Sequence, residues 1–239
     1  MKKWILFPLI LMVLLLSGCA VIPGWGNTIA ENREVSNFQQ VSFSAFGGLT
    51  ITQGEQESLT IEAPRDIMAR IETEVSGGTL YIRFDEEGFL PLPLPPRIVY
   101  NLTLREISGL DHSGAGSIHA PNIETDRLEL VLSGAGGVTI DSLSAQTLEV
   151  RLSGAGGIEL AGQVREQDVT ISGAGAYNAA DLKSQRATVN SSGVGGATVW
   201  TTDRLDVTIS GVGRVEYYGS PRVTQTVTGV GSVRSLGPH

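Results

Sequence analysis

The chain has almost no sulfur chemistry to draw on: of 239 residues one is a cysteine, Cys19. No disulfide framework can form within it, so packing and hydrogen bonding must hold the fold. Aromatic residues are scarce at 6%, which leaves little for a core of large rings. Positive charge is short as well, with 17 Lys and Arg against 25 Asp and Glu, a formal net charge of −8. That balance argues against a basic groove for nucleic acid and against adsorption to an anionic membrane by charge alone. No segment shows the 3.6-residue periodicity of an amphipathic helix, and no apolar run reaches the ~20 residues that span a bilayer as a helix. Glycine is abundant instead, at 30 residues. Together with Val, Thr and Ser this favours short strands joined by many turns.

The longest apolar run, Ile5 to Leu16, follows Lys2 and Lys3 and ends in Leu16-Ser17-Gly18-Cys19. A positive start, a twelve-residue apolar run and small residues before a cysteine are the parts of an export signal. The stretch resembles the lipobox of bacterial lipoproteins. That resemblance implies a lipoprotein signal peptide over 1–18, cleavage before Cys19 and acylation of its thiol. The mature chain would then carry −8 − 2 = −10, since Lys2 and Lys3 leave with the signal. Two or more acyl chains, at ~0.8 kcal/mol per buried methylene, make a stable membrane anchor. The expected location is exported and lipid-anchored to the bacterial membrane, at the outer membrane and periplasm or the cell surface. By resemblance to lipoprotein sorting rules, Ala20, a residue other than Asp after the cysteine, permits outer-membrane delivery. Residues 19–34 read as the lipidated cysteine and a flexible polar tether.

One pattern dominates the rest. The tetrad [ST]-G-[AV]-G begins at Ser113, Ser133, Ser153, Ser172, Ser192, Ser210 and Thr228, at spacings of 20, 20, 19, 20, 18 and 18. Alternation flanks it on both sides: Leu128, Leu130 and Leu132 interleave with Glu129 and Val131, and Val138 and Ile140 bracket Thr139. Period two on either side of a turn means two half-buried strands. A further apolar residue ten past the tetrad start (Ile123, Leu143, Leu182) suggests a short third side. A repeat of this size and period is one coil of a parallel β-helix, with equivalent residues stacked ~4.8 Å apart. The glycines are expected to serve as corners, which need backbone angles open only to glycine, and close approach of neighbouring coils favours a missing side chain. A dinucleotide loop is excluded, because Gly134-Ala135-Gly136-Gly137-Val138-Thr139 lacks the third glycine of G-x-G-x-x-G and leads into a strand.

Residues 35–110 are strand-like ("QQVSFSAF", "GGLTITQG", "SLTIEAP", "RIVYNLTL"), with a Pro-rich loop over 88–96. The succession "FSAFGGLTITQGEQESLTIEAP", "IETEVSGGTLYIRF", "LTLREISGLDHSGAGSI" and the serial "LSGAGG" coils resembles the auto-transporter adhesin, head GIN domain family of bacterial exported proteins. What the resemblance implies is a right-handed parallel β-helix, all-β, with no established activity. The chain then divides into signal peptide, tether, an N-terminal β part over 35–110, and repetitive coils over 111–239.

Candidate chemistry is thin. The outward row Glu129, Glu149, Asp168, Thr188, Asp206 and Thr224 repeats coil by coil, and reads as a solvated face better than as a converging acid–base pair. Asp141 and Asp181 sit at similar offsets two coils apart. Asp111, His112 and His119 share one coil, on either side of a corner, which is a poor metal geometry. No catalytic residue, metal or cofactor is therefore assigned. Trp200, Tyr218 and Leu236 fall eight residues past successive tetrads, so Trp200 and Tyr218 are expected to stack as an outward aromatic strip, either a ligand platform or a corner plug that caps the rod. The sequence thus favours a non-enzymatic, lipid-anchored binding, adhesion or structural module. Its partners would be the membrane, through Cys19, and a glycan or an envelope protein. A polysaccharide lyase or glycosidase on the same scaffold is the alternative.

Overall fold

The computed structural model describes residues 27–85 and 97–239. Cys19, the signal peptide and the whole Pro-rich stretch 88–96 lie outside the described residues. The N-terminal part runs β1 (Thr28–Arg33), β2 (Gln40–Ser44), β3 (Phe46–Gln53), β4 (Ser58–Pro64), a single helical turn α1 (Arg65–Met68), β5 (Ile71–Ser76), β6 (Thr79–Phe84) and β7 (Val99–Leu104). The repetitive part continues with β8 (Gly109–His112), β9 (Ala115–Ala120), β10 (Ile123–Leu132), β11 (Gly137–Leu152), β12 (Gly157–Ile171), β13 (Ala174–Ser191) and β14 (Val194–Ile209). It closes with β15 (Val212–Tyr218), β16 (Arg222–Val227) and β17 (Val230–Gly237). The result is a β-solenoid of about 6 turns with coils about 20 residues apart, all-β as expected.

Each turn has two main sides and a third. On the first side Leu128 stands beside Leu148, and Leu130 beside Val150. On the second, Val138 stands beside Ile158. The third side is a parallel ladder too, with Ile123 against Leu143 and Leu143 against Gly162. The inward residues of all three sides are buried, among them Leu132, Val138, Ile140, Leu143 and Leu182. The columns thus form one continuous core, each apolar side chain resting on its equivalent one coil away.

The tetrad glycines owe their place to close approach. A Cβ on Gly134 would lie 2.0 Å from the Gly114 carbonyl oxygen, and on Gly154 it would lie 2.0 Å from that of Gly134. The next column repeats this: Gly136 over Gly116 at 2.0 Å, Gly156 over Gly136 at 1.9 Å. These four glycines do not have positive φ, so at their corners the expectation of glycine-only angles is corrected, while that of close approach holds. The demand comes from the carbonyl of the coil beneath. A true conformational requirement appears on the third side, at Gly162, where φ is +120° and a Cβ would also meet Leu143 O at 2.3 Å.

Residues 35–110 are not a separate unit. The strands β2 and β3 stack directly under β8 and β9 in parallel register. Beneath them, and later in the chain, come β6 and β7. The outermost strands then turn antiparallel: β5 against β6, β4 against β7, and β1 against β4. Leu59, Ile61, Ile67, Met68 and Ile71 are buried there and close the core. The tether read over 19–34 is corrected in its described part: Thr28–Arg33 is a strand, in register with Pro64 to Leu59. Pairing to an open sheet edge, with Ile29 packed against the core, outweighs its polar composition.

The two kinds of glycine make a sharp prediction. Gly154→Ala should destabilise the domain by about 3 kcal/mol or more, because the clash is with backbone and has no room to relax. Gly157→Ala, whose Cβ would meet nothing closer than 3.9 Å, should stay within about 0.5 kcal/mol of the parent. Urea unfolding midpoints at constant m-value would show the difference.

Candidate functional site

The outward faces of the coils are where function must be sought, beginning with the first side. Its row of acids is in register as expected: Glu129 beside Glu149, Glu149 beside Asp168, Thr188 beside Asp206. Like charges ~4.8 Å apart would repel, and the structure answers with arginines that the sequence reading did not single out. Arg127 pairs with Glu149 at 2.6 Å, and Arg151 pairs with both Glu129 and Glu149. Arg186 pairs with Glu166, and Arg204 grips Asp206 at 2.6 and 3.1 Å. The signal was available, since Arg127 and Arg151 stand two residues either side of Glu129 or Glu149 and so share their outward parity. This hydrogen bonding holds the Asp206 carboxyl below its ordinary range.

Asp168 behaves differently. Desolvation first, and then the neighbouring Glu149 carboxylate, raise its pKa above the usual aspartate value, while Arg151 opposes the shift. Glu149 and Asp168 are thus a neighbouring carboxylate pair on one sheet face, with Glu149 tied to two arginines. A glycosidase instead sets its two carboxyls on opposite sides of the scissile bond. This row has the geometry of a charge ladder.

The other candidates separate. His112 is fully buried, its ring nitrogens 3.1 Å from the Phe43 carbonyl and 3.0 Å from that of Gly116. It is therefore closed off as a metal ligand, while His119 faces out and contacts Asp141 at 2.8 Å. Among the described residues no group of three His, Cys, Asp or Glu side chains could hold a metal ion. Asp141 and Asp181 line one shallow hollow with Glu159 and Asn178, and Ala161 lies there too. Inside the rod, four polar residues replace apolar rungs and satisfy one another. The Tyr177 hydroxyl donates to Gln167 (2.9 Å), Gln167 Nε2 donates to Ser184 Oγ (2.9 Å), and Thr201 Oγ1 lies 3.1 Å from Ser184 Oγ. Burial pushes the Tyr177 hydroxyl far up, so it serves as a neutral donor.

The aromatic corner forms as a pair of adjacent rungs: Trp200 stands beside Tyr218 in parallel register, both half-buried. Leu236 does not join them. An irregularity after Tyr217 puts Gly237 opposite Tyr218 instead. The chain beyond it folds back, so that the His239 ring stacks on Trp200 at 3.8 Å and 9° and meets Tyr218 edge-on at 5.2 Å. Lys183 Nζ lies 5.6 Å from the indole centroid, and His239 Nε2 contacts Asp181 at 3.3 Å. Position 239 carries no periodicity that could have announced this.

With that geometry in place, comparison with known proteins assigns the family. Residues 37–221 match the family described as "Putative auto-transporter adhesin, head GIN domain". The chain belongs to this family. The head GIN domain fold is also that of solved structures. A Bacteroides fragilis protein described as a putative adhesin is 27% identical, with a TM-score of 0.85 over 88% of this chain and 97% of its own. A Parabacteroides merdae protein described in the same words is 21% identical, with a TM-score of 0.70 over 89% and 98%. A Parabacteroides distasonis protein described as a putative lipid binding protein is 22% identical, with the same TM-score and coverage. Those two share the fold. No curated protein matches the chain at comparable significance.

Asp168 gives this face a pH signature. Its pKa is raised on folding, so its favourable contribution is present below the unfolded carboxyl value and is lost as pH rises through the folded one. Asp168→Asn should therefore raise the melting temperature at pH 7. The gain should shrink as pH falls through the carboxylate range, and a gain independent of pH in thermal melts would contradict this assignment.

Proposed function

We propose that this head GIN domain is a non-enzymatic adhesin-type binding module, held at the cell envelope by lipid on Cys19. The reading is supported by the family, by the lipobox-like Leu16-Ser17-Gly18-Cys19, and above all by the corner at Trp200 and Tyr218. The indole there already receives a flat ring, His239, in stacked geometry. A sugar face or a partner's aromatic side chain would use the same surface. Asp181, which contacts the stacked His239, and Asn178, which lines the same hollow as Asp181, add polar groups suited to hydroxyls. Among the described residues no helix is long and apolar enough to cross a membrane.

Two measurements test it. On a glycan array and in pull-downs from envelope extracts, Trp200→Ala and Tyr218→Ala should each weaken binding about tenfold, the loss of one stacking contact of ~1–1.5 kcal/mol. Binding indifferent to both changes would remove the corner from the function. Release of products from a panel of acidic and neutral polysaccharides would favour the enzyme alternative instead. For the anchor, Cys19→Ser should shift the protein from the membrane fraction to the soluble exported fraction. Retention at the membrane would refute the lipid.

A further inference from the structure

The two ends of the rod differ in how the core finishes. At the N-terminal end α1, β4 and β5 lie over it, and Ile67, Met68 and Ile71 are buried. At the C-terminal end β16 pairs along one edge with β14, and β17 along one edge with β15. Val223 and Val227, which stand over buried Leu205 and Ile209, are themselves exposed. Among the described residues the exposed large hydrophobic side chains are Val194, Val212, Val223, Val227 and Val230, and every one lies C-terminal to residue 193. Gln225 stands over Val207 and confines the apolar surface to two rungs.

Charge singles out the same coil. Residues 219–239 contain Arg222, Arg234 and His239 and no Asp or Glu, in a chain of net charge −8. Arg222 reaches back to Asp203 at 3.3 Å and Arg234 to Glu216 at 4.0 Å, yet their side chains stay 85% and 68% exposed. Within the rod, Arg186, which stands in the same column as Arg222, takes a carboxylate from the adjacent coil, Glu166.

We propose that the C-terminal coil is a docking edge for an extended partner strand that carries carboxylates. The strand continues the ladder of β16 by main-chain hydrogen bonds and covers Val223 and Val227. It sets its acids against Arg222 and Arg234. A second copy of this chain fits poorly, because edge-to-edge pairing would join two coils that contain Arg222, Arg234 and His239 and no carboxylate side chain to meet them. This surface is separate from the Trp200–Tyr218 corner, so either can fail without the other.

The test uses the full chain in detergent and fluorescent peptides copying Glu166–Ala179, in which Glu166 has the register position to fall over Arg222. The acidic peptide is the natural sequence, the neutral one carries Glu166→Gln and Asp168→Asn, and the basic one carries Glu166→Lys and Asp168→Lys. By fluorescence anisotropy the acidic peptide should bind about tenfold or more tightly than the basic one, with a preference that fades as salt is raised. Arg222→Glu with Arg234→Glu should reverse the order, and Val223→Lys with Val227→Lys should abolish binding, with melting curves confirming folded variants. Equal binding of the three peptides, binding of none, or indifference to the charge reversal would overturn the proposal. A concentration-dependent dimer lost with Val223→Lys and Val227→Lys would overturn it in favour of a second copy.

Discussion

The architecture rests on one repeated contact: the α-carbon of a glycine lying against the carbonyl oxygen of its equivalent one coil below. The contact leaves about 2 Å where a Cβ would stand, so the α-hydrogen itself points at the oxygen. It sits beside conventional hydrogen bonds, such as Ala135 N–H to Gly114 O at 3.1 Å and Ala155 N–H to Gly134 O at 3.0 Å. Each Cα–H···O contact is worth little alone. Stacked in two columns from Gly114 and Gly116 to Gly229 and Gly231, these contacts fix the height and rotation of every coil against its neighbour. The inner columns of Leu, Val and Ile can then align. The residue between the glycines points out, which is why Ala and Val are both accommodated there.

That constraint explains what the sequence made legible. The tetrads at 18–20-residue intervals locate every corner from Ser113 onward, and the alternation around them names the buried rungs Leu128, Leu130, Leu132, Val138 and Ile140 correctly. Seven corners enclose six intervals, in keeping with a solenoid of about 6 turns. The N-terminal third was less legible because its coils stack out of chain order: β6 and β7 lie outside β2 and β3. Register in that region is set by partners far away in sequence, and no local period records them. At Thr28–Arg33 the polar composition pointed to a tether, yet an available sheet edge takes the segment as a strand.

The candidate sites divide along the same line. Trp200 and Tyr218 share an offset from their tetrads, and their adjacency follows from register alone. Leu236 shares that offset and still fails to join, because a local irregularity shifts the pairing by one residue. His112 and His119 are seven residues apart, so the odd separation across the corner was enough to suspect opposite fates. The ion pairs of the first side needed both parity and side-chain reach. The sequence offers the first, while the second depends on the spacing between coils. The contact of His239 with Trp200 depends on how the last residues fold back, which composition and period do not encode.

The inverted stacking of the first two coils has a consequence for the order in which the molecule can come into being. The strands β2 and β3 emerge early, but one of their neighbours is β6 with β7 and the other is β8 with β9. A chain emerging from its N-terminus must keep Gln40–Gln53 waiting until about residue 120 is available to sandwich it. Closing those loops carries an entropic cost that the later coils, each stacking on its immediate predecessor, do not bear. The closed N-terminal end thus acts as a costly nucleus, and the glycine columns let the remaining coils add to it one at a time, as a zipper closes from its stop.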